Sequence, residues 1–389
     1  MKRVFTSLMA VAISMSILSP AAFAREQDNG MKLAEQSSSA ILIERDTGTV
    51  LFEKNSDEKL PPASMTKVMT MILIMEALNK EKITLKDKVR ASEYAASMGG
   101  SQIFLEAGEV MAVEDLLKGV ALASGNDASV ALGEHIAGTN AAFVKMMNEK
   151  AKDLGLKNTH FENATGLPAE NHYSTARDMA LMAKELLKYE QITKYTGKYE
   201  DYLRENTDKK FWLVNTNKLV KFYPGVDGLK TGYTHEAKYC LTATAEKNDM
   251  RVIAVVMGAP TTKARNTQIS QMLDYAFANY ATEQIYERNQ IIDEVPVQKG
   301  VTKTVHLATS ETVSVLMKKG DEKLKLETEI KVKKNLNTPI KKGDVLGTLV
   351  VKNNGKAVMN TPLVASEKVP AASLWGMFKR TVGHFSQTP

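Results

Sequence analysis

Ser64 precedes Lys67 by three residues, so on a helix the two side chains share a face about one turn apart and can share a hydrogen bond. Such a pair suits nucleophilic catalysis, with a hydroxyl to attack and an amine to take its proton. Lys67 is the only charged residue between Ser64 and Met75. Burial in so apolar a stretch disfavours the ammonium form and lowers the lysine pKa toward the range of a general base. A helix N-terminus adds backbone N–H groups that favour negative charge developing on a substrate carbonyl. Alone the spacing says little, because Ser-x-x-Lys recurs by chance and a serine before an apolar run is often an N-cap.

Two further motifs narrow the reading. Ser124-Gly125-Asn126 lies between two helical segments and Lys230-Thr231-Gly232 lies at a strand edge, at successive separations of roughly 60 and 105 residues that fit the three-motif order of penicillin-recognising serine enzymes. The chain resembles the D-alanyl-D-alanine carboxypeptidases among low-molecular-mass penicillin-binding proteins, of the S11 peptidase type. The resemblance also covers Pro62-Ala63-Ser64-Met65-Thr66-Lys67, Leu116-Leu117-Lys118-Gly119, Ser124-Gly125-Asn126-Asp127-Ala128 and the run from Gly225 to Gly232. It implies a serine-type hydrolase that removes the terminal D-alanine from peptidoglycan stem pentapeptides through an acyl-Ser64 intermediate, and that β-lactam antibiotics acylate. By the same resemblance Lys67 is the acylation base, Ser124 relays a proton to the leaving D-alanine and Asn126 holds the substrate amide. Lys230 and Thr231 line the cleft wall, where the Lys230 cation stabilises charge and the Thr231 hydroxyl binds the terminal carboxylate, and Gly232 lets the substrate backbone approach. The backbone N–H groups of Ser64 and Tyr233 form the oxyanion hole, and Arg265 pairs with the substrate carboxylate. For Arg265 the competing expectation is a solvated cation on a helix face.

Two rivals stand beside this reading. A class A serine β-lactamase needs a glutamate in a Glu-x-x-Leu-Asn loop between the second and third motifs. Glu76-Ala77-Leu78-Asn79 has the wrong spacing and lies in the first helix, and the middle motif here is Ser-Gly-Asn rather than Ser-Asp-Asn. A noncatalytic envelope-binding protein on the same fold is the other rival, and the intact Ser64, Lys67 and Lys230 speak against it.

The elements that must position these residues are legible as patterns. Ala40–Ile43 and Val50–Phe52 flank Asp46-Thr47-Gly48 as a hairpin. From Ser64 to about Asn79 the residues leave no polar face, which predicts a buried helix. A helix with Asn140 as N-cap and the stripe Phe143, Met147, Ala151 and Leu154 stops at Gly155, and Leu241–Ala245 meets Val252–Met257 across Asn248-Asp249. Ile269, Met272, Leu273, Ala276, Phe277 and Tyr280 mark a last helix. The expected fold is α/β of the α+β kind: a β-lactamase/transpeptidase-like catalytic domain over residues 33–283, an antiparallel sheet against a helical cluster. That architecture comes from the resemblance. Beyond residue 285, Leu324, Leu326, Thr328, Ile330 and Val332 alternate with charged residues, and Val301–Leu307, Val313–Met317 and Val345–Val351 look similar. Together with the Asn354-Gly355 turn they predict a small all-β domain over 285–365. Residues 370–386 place Leu374, Trp375, Phe378, Val382 and Phe385 on one helical face beside Lys379 and Arg380, an amphipathic helix expected at a membrane surface.

The chain has 389 residues, 43% of them hydrophobic and 25% charged, enough for one large core and a second domain. Lys2, Arg3, the apolar run Leu8–Leu18 and Ala22-Phe23-Ala24 read as a secretory signal over residues 1–24, implying export to the outer face of the bacterial cytoplasmic membrane as a peripheral protein. Its removal takes two of the +6 formal charges, leaving 6 − 2 = +4. That balance suits anionic polymers or lipid headgroups, and no basic-aromatic motif points to nucleic acid. Cys240, the only cysteine, is expected as a buried small hydrophobe in a strand. The six histidines lack metal-ligand spacing, and no cofactor is expected.

Overall fold

In a computed structural model the residues described are 32–322 and 324–373. The expected leader, Lys323 and residues 374–386 of the expected terminal helix lie outside them.

The catalytic portion is built on a five-stranded antiparallel sheet in the order Val50–Lys54, Ser39–Glu44, Met250–Ala259, Lys238–Lys247, Val226–Thr234. Ser39–Glu44 is buried along its whole length because the sheet is covered on both faces, so period-two alternation sorts two apolar sets instead of one apolar and one polar set. Ile41, Ile43, Ile253 and Val255 face the helical cluster. Ala40, Leu42, Leu241, Ala254 and Val256 face the helix Thr262–Asn279 through Ile269, Met272, Leu273 and Ala276. The expected hairpins at Asp46-Thr47-Gly48 and Asn248-Asp249 both form.

The helix Lys67–Asn79 is buried from Lys67 through Met75. Its all-apolar circumference is accounted for by packing among the helices Val113–Ala121, Asn126–Ala137, Asn140–Asp153 and Ala176–Leu186. A 3₁₀ turn, Ala63–Thr66, precedes it and carries Ser64. One detail differs from expectation: Asn140 is the first helical residue, and Thr139 is the cap, its hydroxyl accepting from the Ala142 N–H at 3.1 Å.

The strand Tyr280–Tyr286 follows the last helix and pairs with Val313–Lys318, so the boundary expected at 283–285 falls inside a strand. The C-terminal sheet runs Ile291–Pro296, Thr304–Thr309, Lys356–Ala365, Val345–Asn353, Leu326–Val332. Val301 is exposed ahead of its strand. The alternation through Leu326–Val332 is only half realised, since Leu326 and Ile330 are half-buried and Val332 is exposed at the sheet edge. Residues 370–372 are not helical: Ala371 bridges Gly300, and the Ala372 N–H donates to the Lys299 carbonyl. Any amphipathic helix therefore begins beyond them. The β domain is fastened to the N-terminal portion where Ser314 Oγ donates to Asp46 Oδ2 in the turn between the first two strands at 2.9 Å and where Lys188, just past the helix Ala176–Leu186, meets Glu311 at 3.0 Å.

Candidate active site

The 3₁₀ turn presents Ser64 half-buried at the head of the apolar helix, and Lys67, one turn on, is wholly buried. Lys67 Nζ donates to Ser64 Oγ at 3.2 Å, to Asn126 Oδ1 at 2.6 Å and to the Thr165 carbonyl at 2.7 Å. None of these acceptors is a carboxylate. Desolvation is the main cause that drives the Lys67 pKa well below the ordinary lysine value; the charge of Lys230 lowers it further and that of Asp127 opposes the shift. Desolvation at this position thus favours the neutral amine over the ammonium.

Asn126 begins the helix Asn126–Ala137, and both ends of its amide are engaged. Oδ1 accepts from Lys67, and Nδ2 donates to the Gly99 carbonyl at 2.6 Å. Both amide atoms are thus held by protein groups, one of them Lys67. Asp127, for which the sequence left an orienting role and a helix-dipole role open, accepts from the Ile103 and Leu105 N–H groups at about 3.0 Å and from its own neighbour Ala128. It pins the segment 99–105 that in turn carries the Gly99 carbonyl. Ser124 sits at φ 63°, and its buried Oγ meets no hydrogen-bond partner among the described residues. A non-glycine residue held in this region stores of order 1–2 kcal/mol. Ala63, immediately before Ser64, is held likewise at φ 47°.

The strand Val226–Thr234 forms the opposite wall at the sheet edge. Lys230 is buried and donates to the Thr231 carbonyl at 3.1 Å, while Thr231 Oγ1 donates to Thr216 Oγ1 at 2.8 Å. Burial, and then the charge of Arg265, pull the Lys230 pKa down to about 7. Arg265 is itself 4% exposed, which removes the expectation of a solvated helix-face cation. Its guanidinium donates to the neutral Asn266 side chain at 2.9 and 3.0 Å, and burial lowers its pKa to about 10. At Gly232 a Cβ would come within 2.7 Å of the Pro62 carbonyl. Its bareness lets the nucleophile turn approach the strand. Tyr233 points its ring outward, 54% exposed and tilted on Tyr239 at 4.5 Å. Cys240 is buried as expected, its thiol pushed up to about 11 by desolvation.

Sequence reasoning missed the segment 163–168. Asn163 Oδ1 accepts from the N–H groups of Thr165 and Gly166, Thr70 Oγ1 donates to the Ala164 carbonyl, and the turn so formed aims the Thr165 carbonyl at Lys67. Gly166 has φ 84°, and a Cβ on it would overlap the Ala63 carbonyl. His172 braces the turn from behind. Its Nδ1 accepts from the Glu162 N–H at 3.1 Å, so Nε2 carries the proton and donates to Thr66 Oγ1 at 2.8 Å. Asn and Gly mark a turn in the sequence, but nothing in residue type announces which carbonyl a turn presents.

The D-alanyl-D-alanine carboxypeptidase family model matches residues 24–261, and the model of the penicillin-binding protein 5 C-terminal domain matches 280–371. The chain is 59% identical over 388 residues to D-alanyl-D-alanine carboxypeptidase DacF of Bacillus subtilis, covering 100% of both chains. It is 35% identical over 380 residues to DacC of Escherichia coli, covering 95% of this chain and 93% of that one. Among solved structures, penicillin-binding protein 5 of Haemophilus influenzae superposes with a TM-score of 0.67 at 34% identity, covering 86% of this chain and 98% of the other.

Proposed function

The chain belongs to the D-alanyl-D-alanine carboxypeptidase family, and on that premise we propose that Ser64 attacks the carbonyl between the last two D-alanines of a peptidoglycan stem peptide. The enzyme is a serine-type hydrolase. Ser64 Oγ gives its proton to neutral Lys67 and forms the acyl bond; the C–N bond breaks, and the leaving amine takes a proton by way of Ser124, whose buried hydroxyl is uncommitted to any partner among the described residues. Backbone N–H groups of Ser64 and Tyr233 receive the oxyanion. Lys230, Thr231 and the buried Arg265 hold the terminal carboxylate, and water then hydrolyses the ester. The observation that carries this reading is the contact of the fully buried Lys67 with Ser64 Oγ at 3.2 Å.

β-Lactams acylate the same hydroxyl, and their esters turn over slowly. The segment facing Lys67, Asn163–Pro168, contains no carboxylate and offers a backbone carbonyl where a deacylating β-lactamase needs a general base. The test is D-alanine release from a peptide ending in D-Ala-D-Ala by wild type and by Ser64→Ala. Release should vanish in the variant, and equal rates in the two proteins, or rapid benzylpenicillin hydrolysis by wild type, would refute the assignment.

The leader over 1–24 and the apolar face Leu374, Trp375, Phe378, Val382 and Phe385 support a peripheral enzyme on the outer face of the cytoplasmic membrane. Because residues 370–372 belong to the β domain, the informative truncation ends at Ser373. It should lose liposome binding and keep peptide hydrolysis; undiminished binding would count against the anchor.

A further inference from the structure

The hairpin Glu200–Leu203/Phe211–Val214 has two unlike faces. Inward, Leu203 and Leu213 are buried and Phe211 meets Phe104 edge-on at 5.6 Å. Arg204, at the end of the first strand, pairs with Glu109 at 2.7 Å and donates to the Ile103 and Phe104 carbonyls. These contacts tie the hairpin to the segment 99–105 that supports Asn126. At its other end the second strand runs on to Thr216, which accepts from Thr231 at 2.8 Å. The hairpin thus joins both walls of the cleft.

Outward, Tyr202 and Trp212 are register partners and stand side by side, 37% and 55% exposed. Trp212 Nε1 donates to Glu200 Oε2 at 3.2 Å, and Lys210 Nζ lies 4.2 Å from the centre of the Tyr202 ring. Two flat rings flanked by a carboxylate and an ammonium form an amphipathic platform. Ring faces take apolar C–H surface, and the charged groups exchange hydrogen bonds with polar substituents. A lipid surface fits poorly, since Glu200 would be carried into it.

We propose that this face binds the amino-sugar glycan to which the stem peptides are attached, with pyranose rings stacked on Trp212 and Tyr202 and their hydroxyl or amide substituents meeting Glu200 and Lys210. The inference rests on the peptidoglycan-hydrolysing reading above and names a second contact for that substrate. Thr216, two residues beyond the strand Phe211–Val214, accepts from Thr231 on the cleft wall, so the hairpin and the peptide-binding wall are directly linked elements.

The test compares wild type, the Trp212→Ala/Tyr202→Ala double variant and Trp212→Phe, with circular dichroism to verify folding. Two readouts are taken: co-sedimentation with insoluble glycan stripped of its peptides by an amidase, and D-alanine release from a soluble pentapeptide and from pentapeptide-rich sacculi. In the double variant co-sedimentation should be lost and release from sacculi should fall about tenfold, while kcat/KM for the soluble peptide stays within about twofold. Trp212→Phe should keep most of the binding. Wild-type co-sedimentation by the double variant, or an equal loss on both substrates, would overturn the proposal. If wild type released no D-alanine from either substrate the peptidase reading would fail, and the co-sedimentation comparison would still decide the glycan face by itself.

Discussion

Lys67 and Lys352 are the same residue type in opposite circumstances. Lys67 lies wholly buried among neutral acceptors, and burial drives its proton affinity down. Lys352 sits on a strand of the C-terminal sheet, paired across to Glu329 at 2.7 Å, and that hydrogen bond raises its proton affinity. Among the described residues the cleft pairs no carboxylate directly with Lys67 or Lys230, and burial lowers the proton affinity of both. The β domain supplies carboxylates beside its edge strand, where charged side chains discourage pairing with another chain. What a lysine does follows from whether a carboxylate and water can reach it.

The sharpest way to break this contrast is to make the same change on both sides. Lys67→Met should lower D-alanine release by about 10³-fold or more, and Lys352→Met should leave kcat/KM unchanged; a comparable loss from both would abolish the distinction. Glycines divide the two regions in the same manner. Gly166 and Gly355 both have positive φ, 84° and 76°, yet a Cβ overlaps the Ala63 carbonyl at the first and meets nothing within 4 Å at the second. Gly355→Ala should cost about 1 kcal/mol of conformational strain. Gly166→Ala should cost at least about 3 kcal/mol in denaturant unfolding and also slow acylation, because the clash moves the turn bearing Ser64.

Acid response gives the third test. His172 is neutral in the fold with its pKa lowered to about 4, first by burial and then by His160, against about 6.5 in the unfolded chain. Between these values the unfolded chain binds more protons, so stability is lost as pH falls from about 6.5 toward 4, by up to about 3 kcal/mol. His172→Gln should flatten that limb of the stability curve. An unchanged limb in the His172→Gln protein would contradict the assignment.

Much of the site was readable in the sequence because helix geometry alone places Ser64 and Lys67 one turn apart, and a helix with no polar face must be buried. The cleft-wall position of Lys230-Thr231-Gly232 came from the resemblance. What escaped was carried by backbone or by tertiary neighbours. The Thr165 carbonyl has no residue-type signature, the bareness of Gly232 answers to Pro62 far off in the chain, and the burial of Arg265 depends on strands packed over its helix. In the β domain, perfect alternation through Leu326–Val332 implied a buried face, but a strand at a sheet edge has only one neighbour to cover it. The continuation of the last helix into the strand Tyr280–Tyr286 was hidden because Tyr280 fits both periods.

Arg265, Lys230 and Lys67 form a file of desolvated basic groups in which each depresses the proton affinity of the next. The acid that counteracts them, Asp127, is already committed to three backbone amides. Among the described residues no carboxylate hydrogen-bonds to any of the three basic groups, so a small carboxylate that enters the cleft supplies the missing acid partner. Occupancy of the cleft is thus coupled to melting temperature: the architecture that prepares the enzyme for its substrate makes it least heat-resistant when empty.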